Sequence, residues 1–147
     1  ELSLPIIFHS REVHEDCLRV LREERGFDVG GVMHYFQGNL EDAKRAIDLG
    51  FYISIARPLF RIEELQNVVK KLPLEHLVVE TDSFPQHFKK NRDNWTEPKH
   101  LRKIVDEISR IKNEDVEYVE NVIYNNTKKM LYSKWDLISS YIPEIIL

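Results

Sequence analysis

Apolar positions recur along this chain in two alternating periods. Four short, unbroken apolar runs lie at Pro5–His9 (PIIFH), Gly30–Phe36 (GGVMHYF), Phe51–Ala56 (FYISIA) and Leu77–Glu80 (LVVE). None alternates apolar with polar, so each reads as a strand buried on both faces, the signature of a parallel sheet. Between them the period lengthens to that of a helix. Val13, Cys17, Leu18 and Leu21 form an apolar stripe over Val13–Glu24, with Gly26 as a stop. Leu40–Leu49 follows Asn39, a suitable N-cap with Asp42 three residues on, and ends at Gly50. Arg61–Leu72 is helical up to Pro73. After the fourth run, a polar loop is expected over Thr81–Thr96. Pro98 then suits the first turn of a helix to about Ile111, and Val116–Tyr132 forms another. The tail, Ser133–Leu147, holds Trp135, Tyr141 and IPEIIL, and is expected to pack on a neighbouring element.

The order is thus βα, βα, βα, β, loop, αα. Strands alternating with amphipathic helices predict an α/β fold: parallel βα units joined by right-handed crossovers. The 147 residues suffice for one ordinary domain with a core. The chain starts at Glu1 and reaches a buried-type strand within four residues, so further polypeptide upstream is expected.

Composition narrows the function classes. Net charge is −4, so general polyanion binding is excluded and any nucleic-acid contact must come from a local patch. The single cysteine, Cys17, allows neither an internal disulfide nor a cysteine-based metal motif, and is expected to be a half-buried packing thiol. No segment approaches the roughly 18 apolar residues of a membrane span. Nothing reads as a secretion leader, and a cytoplasmic location is expected. There is no Gly-rich phosphate loop and no Ser or Cys nucleophile motif.

In parallel α/β folds, ligands bind at the carboxyl ends of the strands. Three candidates stand there: His9 after the first run, His34 in the second, and Asp82 after the fourth. Two imidazoles and a carboxylate on one rim suit zinc, manganese or a similar divalent ion. The same residues also read as hydrogen-bonding loop side chains, and the pattern alone leaves both readings open.

The segments LPIIFHSRE, GGVMHYFQGN, DLGFYISI, LPLEHLVVETDS, Glu97-Pro98 and NNTKKML resemble, in order, the C-terminal half of the TatD family of metal-dependent deoxyribonucleases, within the amidohydrolase superfamily. That resemblance implies the C-terminal half of a TIM-like (β/α)8 barrel over residues 1–132, with 133–147 as a C-terminal extension. A whole barrel takes about 250 residues. It implies one or two divalent metal ions (zinc, magnesium or manganese), His9 and His34 as metal ligands, and Asp82 as both metal ligand and catalytic carboxylate. The implied reaction is hydrolysis of a phosphodiester, in DNA or another phosphoester, by metal-activated water. The remaining family ligands, a His-x-His or His-x-Asp strand end and a bridging Glu, would lie upstream. Arg11 matches the family's His-x-Arg; it reads either as a phosphate clamp or as a salt-bridge partner of Glu12 or Glu15. Tyr35 is a candidate substrate contact and Phe36 a core residue. Glu80 reads as a packing residue or as a group that orients a ligand.

Two departures from the family stand out. Ser83-Phe84-Pro85 displaces a proline that usually follows ETD more closely, and Thr96 replaces the Asn of Asn-Glu-Pro, where it is expected to act as a helix cap. The stretch Lys89-Lys90-Asn91-Arg92 with Trp95 reads either as a nucleic-acid contact or as a solvated loop, and His87 as a spare ligand. His14, His76 and His100 are expected to be surface or packing residues. The alternative to an enzyme is a non-catalytic half-barrel that folds through a missing N-terminal half, another partner chain or self-association.

Overall fold

The computed structural model describes residues 3–85, 91, 95–132 and 134–139. Four strands, β1 (Ile6–His9), β2 (Gly31–His34), β3 (Phe51–Ile55) and β4 (Leu77–Val79), form one sheet in chain order, every pair parallel. Helices α1 (His14–Glu23), α2 (Leu40–Asp48) and α3 (Glu63–Lys71) make the three crossovers. Helices α4 (Leu101–Lys112) and α5 (Val116–Leu131) follow β4, and a short α6 (Lys134–Ser139) closes the described chain.

Side chains alternate across a strand, and the two faces of this sheet differ. Met33, Phe51, Ile53, Ile55 and Leu77 point into the main core with Leu65, Val69, Ile104, Ile108 and Val119 of the helices. Val32, Ser54 and Val78 lie on the opposite face and are also buried. Ile7 shares that face through its register with Val32, yet it is 70% exposed because β1 is the edge strand. By the same alternation His9 and His34 stand on this face, away from the helices.

Local chemistry sets the element boundaries. Asn39 accepts from the Asp42 amide while the Asp42 carboxylate accepts from the Asn39 amide, the capping box the sequence implied. Gly50 ends α2 in a left-handed conformation (φ 82°). Gly31 is needed for a different reason: a Cβ there would lie 1.9 Å from the Ile6 carbonyl oxygen. Strand β2 is shorter than GGVMHYF suggests. Tyr35 turns left-handed (φ 51°) and ends it, after which the Phe36 amide bonds the Ser54 carbonyl and its ring enters the core.

Thr96 is not a cap. It is buried, and its hydroxyl accepts a 2.6 Å bond from Arg57. The turn Pro98–His100 is instead capped by Glu97, whose own amide is taken by the His100 ring. The α6 residue Trp135 packs edge-on against Tyr124 of α5, which supplies the neighbour the tail was expected to find. Ser133 and residues 140–147, with Tyr141 and IPEIIL, lie outside the described residues.

Candidate metal centre

The parallel register brings the rim residues together. His9 and His34 are direct partners across β1 and β2, their rings 5.7 Å apart. Glu80, one residue past β4, reaches back two strands. One of its oxygens lies 2.5 Å from His34 Nδ1, and the other accepts the Tyr35 amide at 2.6 Å. One carboxylate thus holds both the imidazole and the left-handed turn after it. With Nδ1 donating to Glu80, the Nε2 lone pair of His34 is turned outward. It points toward Asp82, whose Oδ1 is 3.8 Å away. Asp82 is 54% exposed on its side chain and has a left-handed backbone (φ 49°).

Two donors that are each about 2.1 Å from a common ion lie at most about 4.2 Å apart. His34 Nε2 and Asp82 Oδ1 are within that span, and an imidazole nitrogen with a carboxylate oxygen is a donor set for zinc or manganese. The pair fits a divalent ion but does not enclose one. Among the described residues, no three His, Cys, Asp or Glu side chains converge closely enough to hold a metal.

Two cavities flank the pair, and Tyr35 lines both. One, of about 330 Å³, is walled by His9, Ser10, Arg11 and His14. His14 is tied to Ser10 Oγ at 2.9 Å and lies against Phe36, a packing role. Among the described residues Arg11 has no carboxylate within 4 Å, so the ion pair with Glu12 or Glu15 is not formed; the nearest cation to Glu15 is Arg45. The other cavity, of about 350 Å³, is walled by Asp82, Arg57, Arg61, Phe60 and Phe84. Arg57 and Arg61 follow β3. The strand-end rule that singled out His9, His34 and Asp82 applies equally to that strand and would have found them. His87, Lys89, Lys90 and Arg92 lie outside the described residues.

The model of the family described as TatD related DNase matches residues 1–132. The chain belongs to the TatD family. YcfH of Escherichia coli K12, named an uncharacterized metal-dependent hydrolase, is 35% identical over 134 residues, covering 90% of this chain and 51% of its own length. YabD of Bacillus subtilis strain 168, similarly named, is 32% identical over 135 residues, with 88% and 52% covered. Among solved structures, the TatD homolog YJJV of E. coli K12 superposes with a TM-score of 0.75 at 26% identity, covering 86% of this chain and 49% of its own. A TatD family hydrolase from Entamoeba histolytica gives 0.78 at 25%, with 88% and 51% covered. The chain spans about half the length of the curated relatives it matches. Its four βα units are those of a half-barrel, as the family resemblance implied. Among the described residues no helix is long and apolar enough to cross a membrane.

Proposed function

We propose that this chain carries part of the active site of a TatD-type deoxyribonuclease, a divalent-metal-dependent phosphodiesterase. The observation that supports it is the His34–Glu80–Asp82 arrangement. Glu80 fixes the imidazole so that Nε2 faces a carboxylate at 3.8 Å, the relation a shared ion requires. One or two zinc, magnesium or manganese ions, when bound, would make water nucleophilic at neutral pH and neutralise a phosphodiester oxygen. His34 and Asp82 are the ligands in this reading, with His9 the second imidazole. Asp82 also takes the proton of the attacking water. Arg11 clamps a phosphate with its planar fork, and Tyr35 contacts the substrate between the two cavities.

The remaining ligands come from further polypeptide. We place it against β1, the sheet edge where Ile7 is 70% exposed, as the N-terminal half of the barrel. Residues 1–132 then form the hydrolase half-barrel and 133–147 an extension of it, and a cytoplasmic location goes with a DNA substrate.

The test is metal-dependent cleavage of DNA by the intact protein. His34→Ala and Asp82→Asn should each lower the rate on the order of a thousandfold while the circular dichroism spectrum is kept. Undiminished cleavage by Asp82→Asn removes the role given to that residue.

A further inference from the structure

The described arginines fall into two groups. Arg19, Arg25, Arg45, Arg102 and Arg110 each have a carboxylate within 4 Å. Arg11, Arg22, Arg57 and Arg61 have none among the described residues. Of these four, only Arg22 is remote from the rim, on α1; the other three wall the two cavities that adjoin at Tyr35. In a chain of net negative charge, three of the four described arginines without a carboxylate partner thus line the cavities at Tyr35 and Asp82. Arg57 is also positioned. Its Nη1 donates to the hydroxyl of the buried Thr96, which restrains one corner of the fork and leaves the other N–H groups to the cavity. In the same wall, Phe60 is 45% exposed. A large aromatic ring open to water beside guanidinium groups that lack a carboxylate is the pairing that single-stranded nucleic acid uses: cations on the backbone, a ring under a base.

We propose that Arg57 and Arg61 form a second phosphate subsite, which takes the phosphate flanking the scissile one in a single-stranded oligodeoxynucleotide, with Phe60 as the stacking surface. The inference rests on the nuclease reading for its substrate class. It assigns the extension of that substrate past Asp82, on the side away from Arg11. Thr96 is then a positioning residue: it sets the angle of Arg57 and touches no substrate.

Binding measured without metal separates this subsite from catalysis. Fluorescence anisotropy of a short labelled oligodeoxynucleotide with the full chain, in EDTA over a salt series, is the readout. Arg57→Gln and Arg61→Gln should each weaken binding roughly tenfold. Each should also flatten the slope of log K against log salt by about 0.7, the value for one single-strand phosphate contact. Arg22→Gln should change neither. Thr96→Val should weaken binding less than Arg57→Gln and keep the slope, since the charge stays. Unlabelled trinucleotide should displace the probe at far lower concentration than inorganic phosphate.

Unchanged affinity and slope in Arg57→Gln and Arg61→Gln overturn the subsite. Equal displacement by inorganic phosphate and trinucleotide overturns the flanking-phosphate assignment. Failure of the nuclease reading looks different: the oligonucleotide binds with the expected arginine dependence, yet the intact protein cleaves no DNA with zinc, magnesium or manganese added.

Discussion

The two ends of the sheet use polar side chains in opposite ways. At the amino end, Asn126 of α5 is buried and spends both N–H groups on backbone carbonyls, those of Leu74 and Leu77, at 2.8 Å each. Lys112 of α4 donates to the Leu72 carbonyl at 2.6 Å. These groups donate to main-chain carbonyls, and they fasten helices to the segment that leads into β4. At the carboxyl end the polar groups hold one another and leave functional atoms outward. Glu80 occupies His34 Nδ1 and the Tyr35 amide, and Nε2 and the Asp82 carboxylate remain turned toward each other. Glu12, Tyr35 and Asp82 are left-handed at this rim, each at a cost on the order of 1 kcal/mol. In barrels of parallel strands, chemistry sits at the carboxyl rim and stability at the amino end, and this half-barrel divides its polar side chains accordingly.

Substitutions at the two ends should therefore separate stability from activity. Asn126→Ala strands two carbonyls in a dry interior and removes packing, so unfolding in urea should show a loss of about 2–4 kcal/mol. The cleavage rate of the protein that remains folded should not change. A loss of activity without a loss of stability would contradict the division. Glu80→Gln is the converse: the carboxylate that orients His34 is replaced by an isosteric amide. Metal affinity by calorimetry and cleavage rate should both fall by about ten- to a hundredfold, with stability nearly unaffected. Asn39→Ala, at the N-cap of α2, removes only the bonds to Asp42 and should cost about 1 kcal/mol of stability alone.

How much of this was legible in the sequence follows from the range of each interaction. The strands and crossover helices were, because an unbroken apolar run or a helical stripe is a local signal. So was the Asn39–Asp42 box, which closes within three residues. His9, His34 and Asp82 could be assigned to one rim because the strand-end rule needs only the order of elements. The bonds that organise the rim were not legible. Glu80 reaches the Tyr35 amide across 45 positions, and only after Tyr35 has left the strand in a conformation unusual for a tyrosine. Arg57 meets Thr96 across 39 positions, so a threonine that read as a helix cap is instead the acceptor of an arginine. Asn126 within NNTKKML looked like part of a family signature, and its reach to Leu74 and Leu77 required the fold.

Lys112 is the charged member of the amino-end set. Burial lowers its pKa from the usual 10.5, against the opposing pull of Glu75 and Glu114. Its ammonium is therefore harder to hold in the folded chain than in the unfolded one. Between the lowered folded value and 10.5, the unfolded state binds more protons, so stability contributed by this residue rises with pH through that window. The burial penalty is present in full below the folded value and relieved above 10.5. Lys112→Met keeps the aliphatic stem and removes the titration. The stability of the parent relative to Lys112→Met should therefore climb as pH rises from neutrality toward 10.5, followed by urea unfolding at each pH. A flat difference would mean that the Leu72 carbonyl fully compensates the buried charge, and Lys112 would then fasten α4 without a cost that answers to pH.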